Sequence, residues 1–168
     1  MRIKSLDMTR IRELLRYEDG VLYWTAAAHP KVAGKPAGSV KHKLGGRIAV
    51  KIDNSYFYAH RIIWALHNGD VPEGMFIDHI NNDPTDNRIV NLRPATRGQN
   101  TANSRLQTRS STKFKGVTFH KRVGRFMAQI KSEDSGYKYL GYYDTAEEAH
   151  EAYKAAAKII HGEFRRCQ

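Results

Sequence analysis

Residues 76–100 read FIDHINNDPTDNRIVNLRPATRGQN and constrain the fold more tightly than any other part of the chain. MFIDHI predicts a short strand, with Asp78 and His79 set inside an apolar frame of Phe76, Ile77 and Ile80. NNDPTDN is turn chemistry, since Asn and Asp side chains bond to their own backbone and Pro pre-sets a turn. IVNLRPA reads as a second strand or a strand-like return. Thr96 and Gln99 then stand at capping-box spacing, which predicts a helix starting at Arg97. The expected order is strand, loop, strand, helix, and it brings Asp78 and His79 near the helical turn that holds Asn100. Five amides (Asn81, Asn82, Asn87, Asn91 and Asn100) crowd this one Asp-His pair. A surface loop explains amides in general, but not an Asp-His pair framed by apolar residues.

The flanking segments follow simpler periodicities. Met8, Ile11, Leu14 and Leu15 lie at helical spacing, and the pattern stops at Gly20. GVLYWT predicts a strand, and residues 26–46, rich in Gly, Ala, Pro and Lys, predict an irregular or mobile loop. RIAVKI and SYFYAH alternate around Asp53-Asn54, a tight hairpin. AHRIIWALHNG returns to helical spacing and ends at Gly69. Residues 104–113 hold few apolar side chains and read as a linker. Beyond them, three short strands are expected, separated by turns at Val123-Gly124 and near Ser135-Gly136. A helix follows, with a capping box of Thr145 and Glu148, an inner face of Ala149, Ala152, Tyr153, Ala156 and Ile160, and a stop at Gly162. Phe114, Val117, Phe126, Ala128, Ile130 and Leu140 are expected to complete that core.

Charge narrows the partner. The formal net charge is +11, and residues 87–132 contain eleven Lys or Arg and no Asp or Glu. Solvated faces usually mix both signs, whereas a long one-signed stretch binds phosphate strongly through released counterions. Nucleic acid is the expected partner. A membrane surface is not, because no strongly amphipathic basic helix accompanies the charge. No apolar run approaches 18 residues and no leader pattern opens the chain, so a cytoplasmic protein is expected. The single cysteine, Cys167, excludes an internal disulfide and a Cys-rich zinc site.

If the expected helix packs across the strand, the side chains of residues 76–100 suit phosphodiester chemistry. Magnesium and manganese favour oxygen ligands, and magnesium often takes only one or two protein groups beside water and phosphate. Asp78 offers a carboxylate and Asn100 an amide carbonyl for such an ion. His79 titrates near neutrality and suits the role of general base toward an attacking water. Asn91 on its own reads as a turn cap, and His60, His67, His120, His150 and His161 as structural or surface groups.

AHRIIWALHNGDVPEGMFIDHINNDPTDNRIVNLRPATRGQNTANSR resembles the HNH endonucleases of phage and mobile-intron type, in the ββα-metal superfamily. His-Arg, Asp-His, Asp-Asn-Arg, Asn-Leu-Arg and Gln-Asn recur in family order. The resemblance implies that Asp78 and Asn100 bind the metal, that His79 activates water, and that Asn91 fixes the loop so that His79 stays oriented. The third motif letter is Asn100 rather than His, as in the Asn-type branch. Further on, KGV, GRFMAQI, YLGYYDTAEEAHEAY and HGEF are similar to the AP2/ERF DNA-binding domain. That family lays a three-stranded sheet in the major groove. By position, Lys115, Thr118, His120, Arg122, Arg125, Gln129 and Lys131 are candidates for that face. Arg93, Arg97, Arg105 and Arg109 are candidates for phosphate contacts beside it.

The expected architecture is α+β, with an N-terminal ββα-metal nuclease domain and lead-in over residues 1–103, a basic linker over 104–113, and a three-stranded antiparallel sheet packed on one helix over 114–168. The expected function is a homing-type, metal-dependent DNA endonuclease that uses Mg2+ or Mn2+ on double-stranded DNA, as a monomer or weak dimer. Two other classes stand beside it: a DNA-binding regulator with a relict nuclease fold, and a protein that binds or cleaves RNA.

Overall fold

A computed structural model describes residues 7–104, 112–132 and 136–164. The chain divides into two compact units, residues 1–95 and 96–168.

The first unit opens with α1 (Met8–Leu14), whose N-terminus is capped by the Asp7 carboxylate accepting from the amides of Thr9 and Arg10. The helix is shorter than the spacing predicts. Leu15 leaves it in extended conformation, and β1 (Leu15–Glu18) pairs with β2 (Val21–Trp24) as a hairpin. Asp19 and Gly20 both hold positive φ, at 40° and 87°. That geometry matches the right-handed twist of the flanking strands. The hairpin wins because extended pairing buries Leu15 and Leu22 in the same core as Ile11 and Leu14.

Residues 26–46 are more regular than expected. They contain β3 (Ser39–Lys41) and a 3-10 turn, His42–Leu44. β3 is stabilised by pairing with β4 (Arg47–Ile52), which pairs on its other side with β5 (Ser55–Tyr58) across the predicted Asp53-Asn54 turn. α2 (Ala59–Asn68) follows directly and ends at Gly69. Ala59, Ile62 and Ile63 bury one helical face against Val50 and Ile52.

β6 (Phe76–His79) and β7 (Leu92–Ala95) form an antiparallel pair in which Asp78 faces Arg93 and His79 faces Leu92. Their alternation explains the site. Ile77 and Leu92 enter the core, so the face carrying His79 is anchored and Asp78 turns to the other side with Arg93. The segment IVNLRPA is only half strand, because Ile89–Asn91 form a 3-10 turn before β7.

The second unit begins with α3 (Arg97–Asn103), which starts where predicted and carries the full capping box of Thr96 and Gln99. β8 (Val117–His120), β9 (Arg125–Ser132) and β10 (Gly136–Tyr143) form an antiparallel sheet with β9 at its centre. The expected turn near Ser135 lies outside the described residues. α4 (Ala146–His161) has the predicted capping box and packs on one face of the sheet. Its buried side chains are Ala149, His150, Tyr153 and Ala157, so His150 is a core residue and the stripe runs slightly off the one predicted. Val117, Ala128 and Ile130 are buried beneath it, with Phe114, Phe126 and Leu140 packed around them. Gly116 is needed where β8 approaches α4. Its φ is +74°, and an added Cβ would stand 2.0 Å from the Tyr153 ring.

Candidate active site and nucleic-acid face

The loop between β6 and β7 is held by its own polar side chains. Asn91, 7 % exposed, donates from Nδ2 to the Asn81 side-chain oxygen at 3.0 Å and to the Asp86 carbonyl at 2.7 Å. Its Oδ1 accepts from the Asn81 amide at 3.0 Å. Asn81 also donates to the Asp86 carboxylate and accepts from the Asp83 amide, so it is a hub of the loop rather than an ordinary turn residue. Arg88 closes a fork on Asp86, with Nε and Nη2 at 2.9 and 2.7 Å. Hydrogen bonding from Arg88 pulls the Asp86 carboxyl down to about 2. These bonds satisfy a short loop that has no room for a regular ladder.

Their product is the placement of Asn87. It is 1 % exposed, and its Oδ1 lies 2.9 Å from His79 Nε2. An amide oxygen accepts only, so Nε2 carries the proton and the basic lone pair lies on Nδ1. His79 is itself 7 % exposed, and His60 on α2 meets its ring edge-on at 5.0 Å between centroids. Burial lowers the His79 pKa and Arg47 adds to that, while the bond to Asn87 and the charges of Asp78 and Asp83 oppose it. Burial pushes His60 further, down to about 3, with His79 and Arg47 contributing. Both rings are therefore neutral at physiological pH.

Asp78 is 6 % exposed, and its Oδ2 accepts from Arg93 Nε at 3.2 Å. Arg93, expected to meet phosphate, is thus engaged beside the carboxylate and offsets its burial. Asn100 lies on α3, half-buried. Each group taken alone suits a hard cation, since a carboxylate and an amide carbonyl are both oxygen donors. Among the described residues, no three His, Cys, Asp or Glu gather as a nitrogen- or sulfur-rich metal centre would require.

The sheet of the second unit has a helix-free face. Ala128 and Ile130 turn to α4, so Arg125, Met127, Gln129 and Lys131 project from the other side of β9. Thr118 and His120 of β8 stand opposite Met127 and Arg125. The predicted Thr118, His120, Arg125, Gln129 and Lys131 are therefore brought together on one surface. Lys115 is not among them, since its ammonium donates to the carbonyls of Ala102 and Ser104 at the end of α3. Arg122 lies exposed in the β8–β9 turn and Arg97 exposed at the start of α3. Arg105 and Arg109 lie outside the described residues. Sequence reasoning missed Tyr137, Tyr139 and Tyr142 of β10, which register places opposite Lys131, Gln129 and Met127. The spacing of YKYLGYY hides them, because a bulge between Tyr139 and Gly141 shifts the alternation by one residue. Asn87 and His60 were also passed over as site residues. Asn87 carried a signal as one of the amides of the loop, and His60 carried one as the histidine of the His-Arg pair.

No helix among the described residues is long and apolar enough to cross a membrane. Residues 57–102, from β5 to α3, match the HNH endonuclease family, and residues 112–163 match the AP2 domain family. Protein 3.8 of Escherichia phage T7 is 26% identical over 107 residues, spanning 64% of this chain and 87% of that protein. A solved structure of DNA binding and cleavage by the HNH homing endonuclease I-HmuI covers 94% of this chain and 90% of its own, with a TM-score of 0.47 and 18% identity. Along the chain a region similar to HNH endonucleases is thus followed by a region similar to AP2 domains, and the HNH match supports a DNA-hydrolysing enzyme.

Proposed function

We propose that the chain is a divalent-metal-dependent endonuclease in which His79 is the general base. The observation that carries this reading is the 2.9 Å bond between His79 Nε2 and the buried Asn87. It fixes the tautomer, directs the lone pair to Nδ1, and holds a neutral ring whose lowered pKa keeps it ready to take a proton. His79 then removes a proton from the water that attacks the scissile phosphorus. Asn91 is a positioning residue, because it ties Asn81 and Asp86 into the loop that presents Asn87. Asp78 and Asn100 would each offer an oxygen donor to Mg2+ or Mn2+. When bound, such an ion stabilises negative charge developing on the phosphate and the leaving oxygen. The domain limits follow the sequence reading, with the nuclease to residue 103, a basic linker over 104–113 and the AP2 domain from 114.

One His79 per chain means one strand cut per encounter, so a monomer nicks, and a double-strand break takes a second copy or a second encounter. The resemblance to phage and mobile-intron enzymes favours a phage-encoded homing role in a bacterial host. The test is relaxation of supercoiled plasmid with Mg2+ or Mn2+, beside EDTA, His79→Ala and Asn100→Ala. Nicked product that needs metal and falls at least about 100-fold in both variants, the order of a lost general base, supports the assignment. Equal nicking by His79→Ala would remove His79 from the role of base.

A further inference from the structure

The helix-free sheet face has a composition that bears on which bases it could read. Guanine is read chiefly by Arg or Lys bonding to O6 and N7. On the strands of this face, among the described residues, the cations are Arg125 and Lys131, and both stand near the ends of β9 rather than at its centre. Arg125 Nε lies 2.9 Å from Asp144 Oδ1, and Lys131 Nζ lies 5.8 Å from the centroid of the Tyr137 ring. The centre of the face holds Gln129, whose amide offers a donor and an acceptor side by side, the complement of adenine N7 and N6. Around it stand Met127, Thr118, Tyr139 and Tyr142, which present methyl, thioether and ring edges of the kind that meet the thymine methyl group.

The aromatic residues raise a competing reading, since exposed rings on a basic sheet also stack unpaired bases. Stacking needs open ring faces. Tyr142 is met edge-on by Tyr139 and by His120, each at 5.5 Å between centroids, and Tyr137 has the Lys131 ammonium over its ring. Tyr137 and Tyr139 remain 69 % and 54 % exposed, but the contacts between the rings favour a ridge along β10 over separate stacking platforms, which suits contact with the floor of a groove.

We propose that this face selects A·T pairs in duplex DNA, with Gln129 reading adenine and Met127, Thr118 and the Tyr139–Tyr142 ridge contacting thymine methyl groups. The proposal rests on the reading of duplex DNA as the enzyme's partner. On it, the AP2 domain directs the nuclease to A·T-rich sites.

The test uses the full chain in EDTA, so that binding is read without cutting. Bound duplexes are selected from a randomised library and sequenced, and the best site is then remade with uracil for thymine, which removes the methyl group and keeps the pairing. Enriched A·T pairs, binding several-fold weaker with uracil, and a shift from adenine to cytosine at one position in Gln129→Glu are expected. That substitution keeps size and shape but leaves only acceptors, which suit cytosine N4, and a merely structural Gln129 would not move the preferred base. Enrichment of G·C pairs, or equal affinity for thymine and uracil duplexes, overturns the proposal. Tighter binding to a single-stranded oligonucleotide than to any duplex replaces it with the stacking reading. Binding and nicking of duplex without base preference defeat this proposal alone, whereas failure of the folded chain to bind any duplex defeats the DNA reading beneath it as well.

Discussion

Asn87 shows how one buried amide sets the chemistry of its neighbour. At 1 % exposure it has no solvent to satisfy its oxygen, so the bond to His79 Nε2 is a packing requirement and, in the proposed mechanism, also what orients the base. Replacing it with Asp keeps the acceptor and adds a negative charge against the imidazole, which favours the protonated ring. In the wild type, burial lowers the His79 pKa, so the acidic limb of the rate profile is expected below the ordinary histidine value. In Asn87→Asp that limb moves to higher pH, and the rate at a pH well below both limbs drops about 10-fold for each pH unit of movement. Single-turnover nicking between pH 5 and 8 checks this, and an unmoved limb would show that Asn87 does not act through His79. Asp78, His79, Asn91 and Asn100 stand out as candidates in the sequence because they follow a recognisable order. The sequence did not show Asn87 or His60 at work, since their contacts depend on how the loop folds back and on how α2 packs.

The β1–β2 hairpin supports that loop from a distance. Tyr17 accepts a hydrogen bond from the Ile89 amide at 3.2 Å, and a Cβ on Gly20 would stand 2.9 Å from the Arg88 amide nitrogen. Gly20 also holds φ at +87°, where a side chain is strained. Gly20→Ala therefore has two costs, and it pushes on the backbone next to Asn87. A loss of more than about 1 kcal/mol is expected in urea unfolding, together with slower nicking at a temperature where the protein remains folded. Normal nicking would show that the hairpin stabilises the fold without aligning His79. Elements with strong local signals were legible in the sequence. Both capping boxes, at Thr96-Gln99 and Thr145-Glu148, form as expected, because each is set by four consecutive residues. Leu15–Glu18 is ambiguous in the sequence, because its leucine satisfies a helical period as well as a strand. Tertiary pairing with β2 decides between them. β3 is hidden for a similar reason: three residues become a strand only because β4 lies beside them.

The charge of the whole molecule acts in two ways. Folding holds His60 neutral, with a pKa of about 3 against 6.5 in an unfolded chain. Below pH 6.5 the unfolded state takes up a proton that the native state does not, so stability is lost as pH falls toward 3. The slope is up to about 1.4 kcal/mol per pH unit. His60→Asn is expected to flatten that slope even where it lowers stability at pH 7, and unfolding curves from pH 7 to 4 measure it. The second effect is on binding. A formal charge of +11 includes the acid-free stretch of residues 87–132, whose cations differ in what they are free to do. Arg93 is committed to Asp78 and Lys115 to the carbonyls of α3, so the count in the sequence overstates the cations that meet phosphate. Lys121 and Arg122 in the β8–β9 turn and Arg97 on α3 are exposed, and they are the better candidates. Each phosphate they neutralise adds about −0.9 to the slope of log K against log salt on duplex DNA. Titrations on a fixed duplex in EDTA, between about 50 and 300 mM salt, are therefore expected to fall steeply for the wild type. The triple change Arg97→Gln, Lys121→Gln and Arg122→Gln is expected to reduce the slope by about 3 without altering the preferred sequence. A slope left unchanged by all three would place the phosphate contacts elsewhere on the chain. A changed base preference would mean that these side chains read bases rather than backbone.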